Sequence, residues 1–145
     1  MRVAACALIV RDGRVLLGRR DPTRAYYPGV WDLFGGHAQP GESPAAALRR
    51  ELAEELGIQA RVGAAAMVVA EPDPGRHGPG TFHVFRVDRW RGEPALRGGE
   101  HTRMGWFTPR RGGRAGACRP RPPRRARPPA GLNRRAAAVR RTVRS

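Results

Sequence analysis

Between Gly35 and Ile58 the chain reads GGHAQPGESPAAALRRELAEELGI, a segment that carries four of the chain's twelve acidic residues. Ser43-Pro44 is a strong helix start, a hydroxyl N-cap followed by proline at the first helical position. Gly57 is an equally good stop, because glycine takes the left-handed conformation that ends many helices without steric cost. The spacing predicts a helix from Pro44 to Leu56. Within it Glu51, Glu54 and Glu55 stand at i, i+3 and i+4, so they project from one face. Ala45, Leu48, Leu52 and Leu56 fall on the adjoining face and can dock on a sheet. Like charges at these spacings cost a bare helix roughly a few tenths of a kcal/mol per pair, so something should compensate. A hard divalent cation fits, because Mg2+ takes carboxylate oxygens and fills its other positions with water and substrate phosphates. A salt bridge from Arg50 is a partial alternative, and a merely solvated acidic face is the plain one.

The flanking residues favour the cation. Gly35 and Gly36 let the backbone approach closely, and Glu42 sits just before the helix, where its carboxylate can fold back over the same face. Gly36, Glu42, Arg50, Glu51, Leu52, Glu54, Glu55, Gly57 and Ile58 match, in one register, every defined position of the signature of the Nudix hydrolases. From Arg2 to Pro109 the chain resembles that family.

The resemblance implies an α/β/α sandwich with a mixed β-sheet and a signature folded as loop, helix, loop. It implies hydrolysis of a diphosphate linkage in a nucleoside diphosphate derivative by attack of water, with Mg2+ or Mn2+ as cofactor. Carried over, Glu51, Glu54 and Glu55 would be metal ligands or the base, and the Gly36 carbonyl a further ligand. Arg50 would orient a carboxylate, and Glu42 would bind a second metal or structure the loop. Members differ in which carboxylate takes the water's proton, so Glu54, Glu51 and a carboxylate outside the signature all stay open. Glu100, in GGEHTRMGWF, is the outside candidate. Phe34 stands where the family often has proline and Gln39 where it often has glutamate. YYPGVWDLFGGH resembles the approach to the signature in MutT-like members, which points to a nucleoside triphosphate. Arg20, with Arg19 and Arg24, is a candidate for phosphates, and His37 for phosphate or metal. Phe34, Tyr26, Tyr27 and Trp31 are candidates to stack on a base.

Around the signature the pattern is that of an α/β domain. RVAACALIV and RVLLGRR are apolar runs joined by Asp12-Gly13, a hairpin signal. DPTRAYYPGV breaks regular structure, and WDLF is a short extended piece. RVGAAAMVVA reads as a strand and EPDPGRHGPG as a turn-rich loop. TFHVFRVDRW is apolar on much of both faces and suits a buried strand, and MGWF reads as a further strand. The order β, β, helix, β, β, β predicts a mixed sheet.

Charge divides the chain. The formal net charge is +16, yet residues 1–100 hold 14 Arg and all 12 acidic residues, while residues 101–145 hold 14 Arg and no acid. Every basic residue is Arg and none is Lys, which reads as G/C-rich coding bias. From 110 to 145 the chain is Arg, Pro, Gly and Ala with almost no large apolar residue, a composition that predicts disorder. The domain is therefore expected over 1–109, with the tail as the product of a shifted reading frame or truncation after Pro109. Clustered Arg permits salt-dependent binding to phosphate backbones, but the tail is the one feature suggesting it, so no nucleic-acid partner is expected. Cys6 and Cys118 fit no metal or redox spacing, no run approaches the roughly 20 apolar residues of a membrane span, and a cytoplasmic, non-membrane setting is expected. The expected partner is a nucleotide or a nucleoside diphosphate-linked small molecule, and the sequence leaves oligomeric state open. Two other functions compete: a nucleotide-sensing module that does not cut, which would not need the full carboxylate set, and isoprenoid diphosphate isomerisation, whose relatives use a cysteine, whereas Cys6 sits in an apolar strand.

Overall fold

A computed structural model describes residues 1–25 and 27–108 together with a short backbone piece at 119–120. The opening hairpin forms as its sequence predicts. Strand β1 (Arg2–Arg11) runs into β2 (Arg14–Arg20), with Val10 beside Val15. Asp12 and Gly13 take φ of +52° and +71°, the left-handed pair that matches the natural twist of a two-residue hairpin.

The two strands then diverge, and the chain from 31 to 37 fills the fork. β3 (Trp31–Asp32) pairs with β2 through Arg19 and Gly18, whereas β4 (Phe34–His37) crosses over to pair with β1 from Ala7 to Ala4. WDLF is therefore divided between two strands, with Leu33 as the crossing point. Gly35 permits the crossing, since φ there is +147° and a Cβ would lie 2.0 Å from the Ala5 carbonyl oxygen.

Helix α1 (Pro44–Leu56) begins and ends where the sequence places it. The Ser43 hydroxyl accepts from the Ala46 N–H, and Gly57, at φ +68°, donates its N–H to the Ala53 carbonyl. Its buried residues Ala47, Leu48, Leu52 and Leu56 pack on Ala5, Ala7 and Ile9 of β1 with Leu16, Phe34, Phe85, Val87 and Ile58. The opposite face of β1, Ala4, Cys6 and Leu8, is also buried, against Leu33, Phe82, Val84 and Phe107. This two-sided burial suits a central strand with a near-continuous apolar run.

After β5 (Gln59–Ala60) the segment 61–66 leaves the expected strand, which resumes as β6 (Met67–Ala70). The loop that follows contains a one-turn helix, α2 (Pro74–His77), started by Asp73 and Pro74. β7 (Gly80–Val87) pairs parallel with β1 and antiparallel with β6, β8 (Trp90–Arg91) pairs with β5, and β9 (His101–Thr108) lies against β2. β9 is twice the length of MGWF. A two-residue strand, β10 (Arg119–Pro120), sits beside β9. The large sheet runs β10, β9, β2, β1, β7, β6 and is mixed, as expected. The fold is α/β, with α1 packed on a mixed sheet. The expectation of a disordered or frame-shifted tail falls, β10 apart, outside the described residues.

Candidate active site

The fork between β1 and β2 opens onto a cleft of about 380 Å³. The C-terminal half of α1 and the residue just before β9 bring carboxylates to the Gly35-Gly36 bend at its edge. The three helix glutamates, which share a stripe by spacing, meet three different environments. Glu54 remains in solvent, its side chain 59% exposed. Glu51 is half-buried beside Gly36, where a Cβ would stand 2.4 Å from the Glu51 carboxyl carbon. Gly36 is thus the space that Glu51 occupies. Glu55 turns inward and is only 5% exposed.

Arg50 fastens the outer part of this arrangement. Its Nε and Nη2 donate to the two oxygens of Glu42 at 3.0 Å each, and Nη2 also donates to the His37 carbonyl at 3.1 Å. Nη1 donates to Glu51 at 2.7 Å and more loosely to Glu54 at 3.4 Å. The planar fork of guanidinium suits such shared, bidentate bonding. Glu42 accepts in addition from the Gln39 N–H at 2.9 Å. Both its oxygens are engaged, so in this arrangement Glu42 holds the loop instead of facing the inner carboxylates. These bonds hold its carboxyl below the usual range, Arg50 first and Gln39 second, and they raise the Arg50 guanidinium still further.

Glu55, the most buried of the three helix glutamates, has no such neutralising partner. Glu55 Oε2 accepts from the Gly35 N–H at 3.2 Å, while the buried Oε1 has no hydrogen-bond partner and lies 3.9 Å from His101 Nδ1. Burial, then the adjoining Glu100 and Glu51 carboxyls, push the Glu55 carboxyl up to about 9. Glu51 is raised too, by burial, against the pull of Arg50. Glu55, Glu100 and His101 each offer a ligand atom, all within 4.8 Å of one another. Carboxylates crowded in a dry site cannot all stay ionised without a compensating positive charge. Hard oxygen donors with an unpartnered buried oxygen fit a divalent cation.

His101 is the residue the sequence reading missed. It reaches the site because β9 carries one extra residue opposite β2: Arg19 faces Arg103, whereas Arg20 faces His101. Such a bulge re-aims side chains, and here Thr102 stays exposed while His101 is buried. Its ring lies 4.7 Å from that of Phe34, and burial, with Arg20 nearby, lowers the imidazole to about 4. Its position beside Glu100 was the one available hint.

The substrate candidates separate in the same way. Arg20, Arg24 and His37 line the cleft, together with Arg2, Tyr27 and Asp32. Arg24 is paired with Glu100. Phe34 does not present a stacking surface: it is fully buried between β1, Gly18 and His101, as its place at the start of a crossing strand requires. Trp31 packs edge-on against Phe107, and the Tyr27 hydroxyl donates to Glu71 while its ring lies against His77. Cys6 is buried and is among the residues that line the cleft. Tyr26 lies outside the described residues.

With loop, helix and carboxylates in this arrangement, comparison with known proteins is informative. The family model described as NUDIX domain matches residues 1–125, and the chain belongs to that family. It is a Nudix pyrophosphohydrolase. It is 38% identical over 105 residues to a CTP pyrophosphohydrolase of Escherichia coli K12, covering 71% of this chain and 73% of that one. It is 48% identical over 58 residues to the nucleoside triphosphatase NudI of Escherichia coli O1:K1, a match that spans 40% of this chain and 41% of NudI. Among solved structures, the MutT Nudix hydrolase of Burkholderia pseudomallei superposes with a TM-score of 0.68 at 36% identity, covering 74% of this chain and 82% of that one. Among the described residues no helix is long and apolar enough to cross a membrane.

Proposed function

We propose that the protein hydrolyses a nucleoside triphosphate, or another nucleoside diphosphate derivative, at a diphosphate linkage with Mg2+ or Mn2+. The observation that carries this reading is the gathering of Glu51, Glu55 and Glu100 at the Gly35-Gly36 bend, beside a cleft lined by Arg2, Arg20 and Arg24. Glu51, Glu55 and Glu100 would hold the ion. When bound, it neutralises diphosphate oxygens, polarises phosphorus and lowers the pKa of water.

The protein's own groups supply position. Arg50 keeps the Glu51 carboxylate over Gly36 and ties it to the 37–42 loop. The Gly35 N–H fixes one oxygen of Glu55. Arg20 and Arg24 place positive charge where a polyphosphate would lie, and His37 sits at the same edge. Glu51 and Glu54 are the candidates to accept the proton of the attacking water, Glu54 because it is exposed and only loosely held. The names of two relatives, a CTP pyrophosphohydrolase and a nucleoside triphosphatase, favour a triphosphate over other diphosphate derivatives. A chain with two cysteines and no disulfide-framework spacing suits a cytoplasmic setting.

A panel of ribo- and deoxyribonucleoside triphosphates, incubated with the full chain and Mg2+ or Mn2+, tests the reaction. The expected products are a nucleoside monophosphate and pyrophosphate, with none formed in EDTA. Metal-independent release, or no turnover across triphosphates and nucleoside diphosphate derivatives, overturns the reading. Glu51→Gln and Glu54→Gln identify the base, whose variant loses the acidic limb of the pH–rate profile.

A further inference from the structure

We infer that the metal site of this chain includes a nitrogen donor, the His101 imidazole, in addition to its carboxylates. His101 and Glu55 are both more than nine-tenths buried, and the imidazole Nδ1 stands 3.9 Å from Glu55 Oε1, an oxygen with no hydrogen-bond partner. That distance is too long for a hydrogen bond. It suits two atoms that face a common ion, as does the grouping of Glu55, Glu100 and His101 ligand atoms within 4.8 Å.

The ring is held in place for this. Phe34 lies 4.7 Å from it, and Gly18 leaves no room for a side chain, since a Cβ there would be 2.6 Å from both His101 Cδ2 and Phe34 Cζ. The bulge opposite Arg19 and Arg20 aims the side chain inward. A chain that needed only a packing residue here would not need a polar ring whose Nε2 is also buried without a partner.

A nitrogen donor changes which ion the site favours. Mg2+ takes oxygen ligands and keeps several waters, whereas imidazole suits the first-row transition ions, most strongly the later ones. The nitrogen donor therefore shifts the site's preference away from Mg2+ and toward first-row ions, of which Mn2+ is an EPR-active probe.

The inference rests on the cleft being a divalent-metal site, and pulsed EPR of the full chain with Mn2+ separates the two. Expected is a nitrogen coupling on the bound Mn2+ that changes in the manner of 15N when histidine is 15N-labelled, a measurement that needs no mutation. The coupling should persist in His37→Gln, the other histidine at the cleft, and disappear in His101→Gln, with Mn2+ affinity falling about tenfold or more. Bound Mn2+ without nitrogen coupling, or coupling lost only in His37→Gln, overturns the histidine ligand and leaves the metal site standing. No specific Mn2+ binding overturns both.

Discussion

Two clusters of glutamates lie on either side of Gly36, and they are built oppositely. Outside, Glu42 is locked by both prongs of Arg50 and a backbone N–H. Inside, Glu55 has one backbone N–H, a neighbouring carboxyl and a histidine too far away to bond. At Glu42 both oxygens are paired, and the carboxyl is tied to Arg50 and the Gln39 N–H. At Glu55 no arginine does this, and burial beside the Glu100 and Glu51 carboxyls disfavours its ionised form. The same residue type is thus held ionised at one position and protonated at the other, according to burial and to whether an arginine reaches it.

The contrast is broken most sharply at Glu55. Glu55→Gln should lower turnover about a hundredfold or more, the scale on which loss of one charge-stabilising group is felt, while thermal unfolding without metal is unchanged or shifted upward. A variant that keeps wild-type turnover would remove Glu55 from the chemistry. Gly36→Ala comes next. The three atoms nearest the added methyl all belong to the flexible end of Glu51, so turnover should fall at least tenfold with little loss of melting temperature. A large drop in stability with normal turnover would show that Gly36 serves packing instead.

Arg50→Met attacks the other cluster and should reverse the balance. It strips charge-assisted bonds from Glu42, Glu51 and the His37 carbonyl, and should cost about 1–3 kcal/mol in denaturant unfolding. Arg50→Lys should recover only part of this, because an ammonium cannot fork across the same partners.

A smaller effect separates the clusters by pH. The Glu55 carboxyl, ordinarily near 4.5, is held up to about 9, so the folded metal-free chain keeps a proton that the unfolded chain releases. Stability in chelator should therefore decline as pH rises from about 4.5 to about 9, and Glu55→Gln should flatten that slope. Glu42, held low by Arg50, acts in the opposite sense and below that window. The smallest effect is expected at the exposed Arg11–Glu93 pair, where Glu93→Gln should leave both melting temperature and turnover essentially unchanged.

Local chemistry made much of this legible beforehand. Ser43, Pro44 and Gly57 mark the helix because capping is decided within a few residues, and Asp12-Gly13 marks the hairpin for the same reason. The signature residues could be grouped because helical periodicity carries side-chain direction. It did not tell that Glu55 is buried and Glu54 exposed, since that depends on where β4 crosses from β2 to β1. Phe34 was misread for a related reason: an aromatic beside a glycine pair looks available until the crossing buries it. His101 depends on one extra residue opposite β2, and a bulge has no sequence signature when neither strand supplies a glycine or proline at that point.

The parallel pairing of β1 with β7 also has a consequence for how the protein comes into being. Arg2 is seated only when Gly80 arrives, and Ile9 only when Val87 does. A ribosome releases β1 and the whole signature, Gly36 to Ile58, well before β7 is available to pair with β1, and Glu100 and His101 follow later still. The emerging chain thus leaves one edge of its apolar first strand unpaired for much of its synthesis, the period in which such long-range topologies are most open to aggregation. The grouping of Glu55, Glu100 and His101 is complete only when β9 closes on β2.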